Sequence, residues 1–199
     1  KYTFGLDPMQ QYLIEFPDGR MQALSITWDS RPADKGGQRW FHLYPNEKIN
    51  SADELHWTKR TQNWNYMCAD CHSTDVKKNY DETSNTYKTT WKEITVGCEA
   101  CHGPGSEHVK QAKVAGNDYA GGNLTVNFIE RNAVAWAIDP ATGNAKRSAP
   151  RTTDVEMQVC AQCHSRRGQI ADGFKPGMNF HDYYRASALQ PGLYHADGQ

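Results

Sequence analysis

A chain of 199 residues has room for one sizeable domain or two small ones. Only 38% of it is hydrophobic and its mean hydropathy is -0.82, which is a poor aliphatic supply for a core of that length. A formal net charge of -1 gives no general field that would draw it to nucleic acid or an anionic membrane surface, and no stretch approaches the ~20 apolar residues of a membrane span.

In chain order, Lys1-Tyr2-Thr3 opens with strand-like sequence. Tyr12 to Phe16 and Arg20 to Trp28 read as strands, since Leu24, Ile26 and Trp28 alternate with polar residues, and Pro17-Asp18-Gly19 between them is a hairpin turn signal. Residues 29–63 hold Pro32, Gly36, Gly37 and Pro45 among Trp40, Phe41, Tyr44 and Trp57, an ordered aromatic loop rather than a linker. Thr86 to Trp91 and Glu93 to Val96 are rich in β-branched and aromatic residues and predict short strands. Gly103-Pro104-Gly105-Ser106 is a sharp turn, from which Ser106 caps a helix running to about Ala115, before Gly116. Residues 117–150 form a loop-rich excursion with one hairpin around Ala133 to Ile138, and Thr153-x-x-Glu156 predicts a capping box opening a further helix. The expected fold class is α+β with little regular secondary structure and an N-terminal β-hairpin region.

From Cys68 on, one pattern punctuates the chain. Cys68-Ala-Asp-Cys71-His72, Cys98-Glu-Ala-Cys101-His102 and Cys160-Ala-Gln-Cys163-His164 are each C-x-x-C-H, and together they use all six cysteines. That is the attachment pattern of c-type haem: two thiols reach two vinyl positions of one porphyrin, and the next residue offers an imidazole to the iron. A zinc site pairs C-x-x-C units, so three of them leave one without a partner, and zinc gives no reason for a histidine after every second cysteine. A disulfide framework suits much shorter chains. Three covalent haem c groups follow, in a single domain over 1–199 that comprises a haem-free segment, 1–63, and a haem-bearing body, 64–199.

Porphyrin faces replace the missing aliphatic core, and six tryptophans, ten tyrosines and six phenylalanines suit packing on them. Haem attachment of this kind takes place outside the cytoplasmic membrane in bacteria. A chain opening at Lys1 without an export leader therefore reads as a mature or trimmed product, or a fragment. Short basic runs such as Lys77-Lys78 and Arg166-Arg167 read as solvated residues or haem-propionate partners.

Of eight histidines, three are proximal ligands, His72, His102 and His164; His42, His56, His108, His181 and His195 remain. Three irons need at most three more imidazoles, so supply exceeds demand. His108, at the start of the helix after the second motif, reads as the distal ligand of another motif's iron. His42 and His56 lie among apolar rings, where ligation competes with a hydrogen-bonded core role; His195 sits in a turn near the end, and His181, beside Asp182, has the weakest case. Methionine ligation, by Met9, Met21, Met67, Met157 or Met178, is the minority reading. The spacing of Cys68, Cys98 and Cys160 makes the first two haems close neighbours, with the third reached across the excursion.

The runs Asn63 to Thr74, Cys98 to Val109 and Cys160 to Gly168, with Trp40-Phe41-His42-Leu43-Tyr44-Pro45 and Leu193 to Gln199, resemble the multihaem cytochromes related to cytochrome c-554, most closely the branch often fused to tetratricopeptide repeats. The resemblance implies bis-histidine haems in stacked pairs, and periplasmic or extracellular electron transfer between redox partner proteins or extracellular acceptors. It implies that His108 ligates a haem other than that of its neighbouring motif, and it raises His42, His56 and His195 as ligands. Such proteins usually carry further C-x-x-C-H motifs beyond both ends of this region. A spare histidine therefore serves an absent haem, or a haem in a neighbouring subunit, which would join copies into a conductive filament. The competing expectation is a reductase or oxidase of a small nitrogen or sulfur compound, with one open iron face and Tyr183, Tyr184 and Arg185 lining its pocket.

Overall fold

The computed structural model describes residues 2–187. It is mixed α and β, with short helices and small antiparallel sheets, as expected of an α+β chain. The chain divides into two compact units, Lys1–Thr95 and Val96–Gln199.

The first unit is built on a four-stranded antiparallel sheet in the order β1 (Tyr2–Phe4), β2 (Met9–Glu15), β3 (Met21–Asp29) and β4 (Arg39–His42). Pro17-Asp18-Gly19 makes the β2–β3 hairpin as its turn chemistry predicts, with the Phe16 N–H donating to the Arg20 carbonyl at 2.8 Å. The aromatic loop contains more order than its prolines and glycines indicate: Trp40 pairs with Trp28 and His42 with Ile26, so β4 extends the sheet. Cross-strand ring contact stabilises that register, with Trp28 and Trp40 centroids 5.3 Å apart.

Strand β3 is buried along most of its length and carries polar side chains inward. Gln22 donates to the carbonyls of Trp57 (2.7 Å) and Lys59 (3.0 Å), and Thr27 to that of Gln10 (2.7 Å). Against it lie α1 (Trp64–Met67) and α2 (Ala69–His72). Leu13, Met21, Ala23, Trp64 and Ala69 form the core there, with Cys68 and Trp91 packed on it. A hairpin of β5 (Tyr80–Asp81) and β6 (Thr86–Tyr87) follows. Beyond it the predicted strand character of 86–96 is reduced to two isolated bridges, Lys77 with Thr90 and Thr74 with Glu93.

The second unit holds α3 (Glu99–His102), α4 (Ser106–Ala115), a hairpin of β7 (Trp136–Ile138) and β8 (Ala145–Arg147), α5 (Val155–His164), and β9 (Arg167–Gln169) paired with β10 (Tyr184–Ala186). Both predicted helices are present, but their caps differ from expectation. Gly105, not Ser106, stands at the N-cap of α4, and its N–H donates to Glu99 Oε1 at 2.8 Å, because the preceding Gly-Pro-Gly turn delivers the chain one residue earlier. At α5 the N-cap is Asp154, Thr153 Oγ1 accepts from the Val155 N–H at 3.2 Å, and Glu156 is taken by Arg131. An ion pair to the excursion therefore replaces the capping box.

That excursion is no mere spacer. Val126 pairs with His102, Glu130 accepts from the backbone of Thr153 at 3.0 Å, and Arg131 reaches Glu156, so residues 124–131 tie the second motif to the helix of the third. The hydrophobic side chains of this unit that are buried among the described residues are Val126, Val159, Phe180 and Tyr184. Four such residues are a thin core for a unit of this size.

Candidate haem-attachment sites

Each C-x-x-C-H motif forms one helical turn that ends on its histidine. In all three, the residue after the histidine donates its N–H back to the residue after the first cysteine: Ser73 to Ala69 (2.9 Å), Gly103 to Glu99 (3.0 Å) and Ser165 to Ala161 (3.2 Å). The chain then leaves the helix at Ser73, Gly103 and Ser165. Side chains three apart share a face of such a turn. Cys68 and Cys71, Cys98 and Cys101, and Cys160 and Cys163 are thus presented in pairs, all as free thiols.

The surroundings suit a large apolar group bound through sulfur. Met67 precedes Cys68 and is 50% exposed; Ile94 and Val96, before Cys98, are 40% and 52% exposed; Met157, one turn before Cys160, is 50% exposed. Each motif thus has at least one exposed apolar side chain near it that a porphyrin face could cover. Burial, and after it the neighbouring Cys71 thiol, pushes the Cys68 thiol up to about 11. The second and third motifs lie in the same unit, and the Cys101 and Cys160 thiols are close enough to raise the pKa of Cys160, after burial and Glu156.

The imidazoles fall into two sets according to what holds Nδ1. His102 Nδ1 lies 2.8 Å from the Val126 carbonyl. A carbonyl only accepts, so Nδ1 carries the proton and the Nε2 lone pair is left for a metal. His108 repeats this with the Gly122 carbonyl, also at 2.8 Å. His42 is the reverse, because the Tyr44 N–H donates to its Nδ1 at 3.0 Å, placing the ring proton on Nε2. At His56 the Thr58 hydroxyl lies 2.8 Å from Nδ1 and the Thr58 N–H points at the same atom from 3.4 Å. Iron ligation through Nε2 therefore suits His108 as folded, whereas His42 must first release a backbone amide.

Phe4 packs edge-on to His72 at 4.5 Å, and burial lowers the pKa of that imidazole, favouring the neutral, ligating form. Phe128 covers His102 at 4.8 Å. His164 is exposed at the end of α5. His181 is exposed beside Phe180, and His195 lies outside the described residues.

Two residues weighed only under the less favoured readings sit in packing positions. Tyr184, offered as a pocket residue, is 1% exposed; it stacks on Phe180 at 5.1 Å and lies beneath the Arg167 guanidinium at 4.0 Å. Arg167 also donates to the Gln162 carbonyl at 2.6 Å, so it braces the third motif's helix. Met21 is a core residue, 5% exposed. The carbonyls of Val126 and Gly122 escaped sequence reasoning because a backbone acceptor leaves no residue-type signal; Phe4 and Phe128 gave only a general aromatic one.

Residues 32–103 match the family described as cytochrome c554 and c-prime. The match contains the first two motifs whole and stops before the third. No curated protein and no solved structure matches the chain.

Proposed function

We propose that this chain, a c-type cytochrome related to the cytochrome c554 family and so an electron-transfer protein, holds three covalent haem c groups, one at each C-x-x-C-H turn. The observation that carries the count is the recurrence of one helical turn, closed by the same hydrogen bond after the histidine, at all three motifs. Bound haem supplies a one-electron iron couple. The protein's share is to tether, ligate and set polarity. Cys68, Cys71, Cys98, Cys101, Cys160 and Cys163 provide thioethers, and His72, His102 and His164 are the proximal ligands.

His108 is a distal ligand, already in the required tautomer. The two remaining positions are filled from among His42, His56 and His195. For His42 the cost is one hydrogen bond, about 0.5–1.5 kcal/mol. Irons filled on both sides carry electrons and do not transform substrates, and the burial of Tyr184 supports that reading over a catalytic pocket. We place the protein in the periplasm or outside the cell, passing low-potential electrons between redox partners. The surplus of imidazoles supports self-association into a filament with ligation across subunits.

The intact mass of the acid-denatured holoprotein tests the count: three haems per chain are expected, and a two-haem limit under full loading would overturn it. His108→Ala tests the ligand set. One haem is expected to turn high-spin by EPR, and a wholly low-spin spectrum would remove His108 from it.

A further inference from the structure

After Ala115, the chain does something the excursion's loop-like composition does not require. It turns at Gly116, passes Tyr119, and at Gly121, Gly122 and Asn123 takes three consecutive positive φ angles, 89°, 113° and 59°. Such backbone is strained for residues bearing a Cβ, which is why glycine occupies two of the three positions. The geometry returns the loop to α4. Asn123 Nδ2 donates to Gln111 Oε1, one helical turn beyond His108, and the Gly122 carbonyl meets His108 Nδ1 at 2.8 Å.

Tyr119 closes the arrangement. Its hydroxyl donates to the same Gly122 carbonyl at 2.8 Å, its oxygen lies 3.0 Å from His108 Nδ1, and its ring stands edge-on to the imidazole with centroids 5.1 Å apart. Two oxygens of one loop, the Gly122 carbonyl and the Tyr119 hydroxyl, thus meet at Nδ1, and Nε2 of His108 has no hydrogen-bond partner among the described residues. A histidine serving only to dock the loop could use either nitrogen. Concentrating every polar contact on Nδ1 fixes both tautomer and ring rotation, which are the two quantities a metal ligand must have set.

We infer that Tyr119 and the Gly122 carbonyl are positioning groups for His108, forming a clasp that holds its imidazole in the iron-binding tautomer. This rests on the reading of His108 as a distal ligand. Tyr119 touches neither iron nor porphyrin in this role; it acts through His108 by sharing the Nδ1 proton and anchoring the carbonyl that accepts it. Outer partners of a ligating histidine typically change metal affinity 10- to 100-fold.

The test uses the fully loaded holoprotein and cyanide, which competes for the distal position. In Tyr119→Phe, one haem is expected to take up cyanide at about 10- to 100-fold lower concentration than in wild type, the other two being unchanged. In Gly122→Ala, a Cβ at φ 113° displaces the carbonyl, and the same haem should respond. It should also be the haem that turns high-spin in His108→Ala. If His108→Ala is high-spin while Tyr119→Phe and Gly122→Ala titrate like wild type, the clasp is refuted and the ligand reading stands. If His108→Ala stays low-spin, the ligand reading itself fails. A lower melting temperature with an unchanged cyanide titration would make Tyr119 a packing residue and overturn the inference.

Discussion

Asn65 is fully buried, at 0% exposure, immediately ahead of the first haem motif. Its Oδ1 accepts from the Met21 N–H at 2.7 Å, and its Nδ2 donates to the Gly19 carbonyl at 3.1 Å and to Thr89 Oγ1 at 2.8 Å. One side chain thereby joins the start of β3, the β2–β3 turn and the segment after β6 to the helix that delivers Cys68. Asn65→Ala leaves the Met21 N–H orphaned inside the core, at about 1–3 kcal/mol. The Gly19 carbonyl is only half-buried and adds about 0.5–1 kcal/mol, while Thr89 still donates to the Lys78 carbonyl at 2.9 Å and adds little. The total is about 2–4 kcal/mol, a large share of the 5–15 kcal/mol typical of a domain. With a urea slope of about 2 kcal/mol/M, the unfolding midpoint should fall by about 1–2 M. Trp64 and Trp91, in edge contact at 5.6 Å, report on the transition by fluorescence. A midpoint within about 0.3 M of wild type would refute Asn65 as the hub of this unit.

Two further perturbations have defined outcomes. In Gly103→Ala the new Cβ, on a residue at φ 74°, would stand 2.9 Å from the Thr125 side chain, pushing away the segment whose Val126 carbonyl holds His102. Holoprotein mass should then show a fraction lacking one haem, and full three-haem occupancy with unchanged melting would contradict this. For Asp29, its hydrogen bond to Arg31 holds the carboxyl down from 3.8 to about 2. A depressed folded value gives stabilisation that is complete above the unfolded value and lost as pH falls through the window from about 4 to about 2. Asp29→Asn should flatten acid unfolding in that window, and an identical pH slope in the variant would exclude the pair as its cause.

Local chemistry was the part legible from residues alone. The β2–β3 turn followed from Pro17-Asp18-Gly19, and the span of α4 from the glycines flanking it, because turns and helix ends are decided by neighbouring residues. The capping box of α5 was misjudged because Arg131, distant in sequence, competes for Glu156. Strand β4 was hidden because its pairing with Trp28 and Ile26 outweighs the glycines and prolines around it.

By itself the sequence determined the attachment chemistry: six cysteines used completely in three C-x-x-C-H units put two thiols and an imidazole on one turn of helix, a geometry complete within five residues. Which carbonyl meets which imidazole was decided only by the tertiary structure. The partners stand 24 residues apart for His102 and 14 for His108, and the Asn65 bond to Met21 spans 44. Backbone acceptors are the same in every residue, so only the path of the folded chain selects among them, and with them the tautomer of each ring.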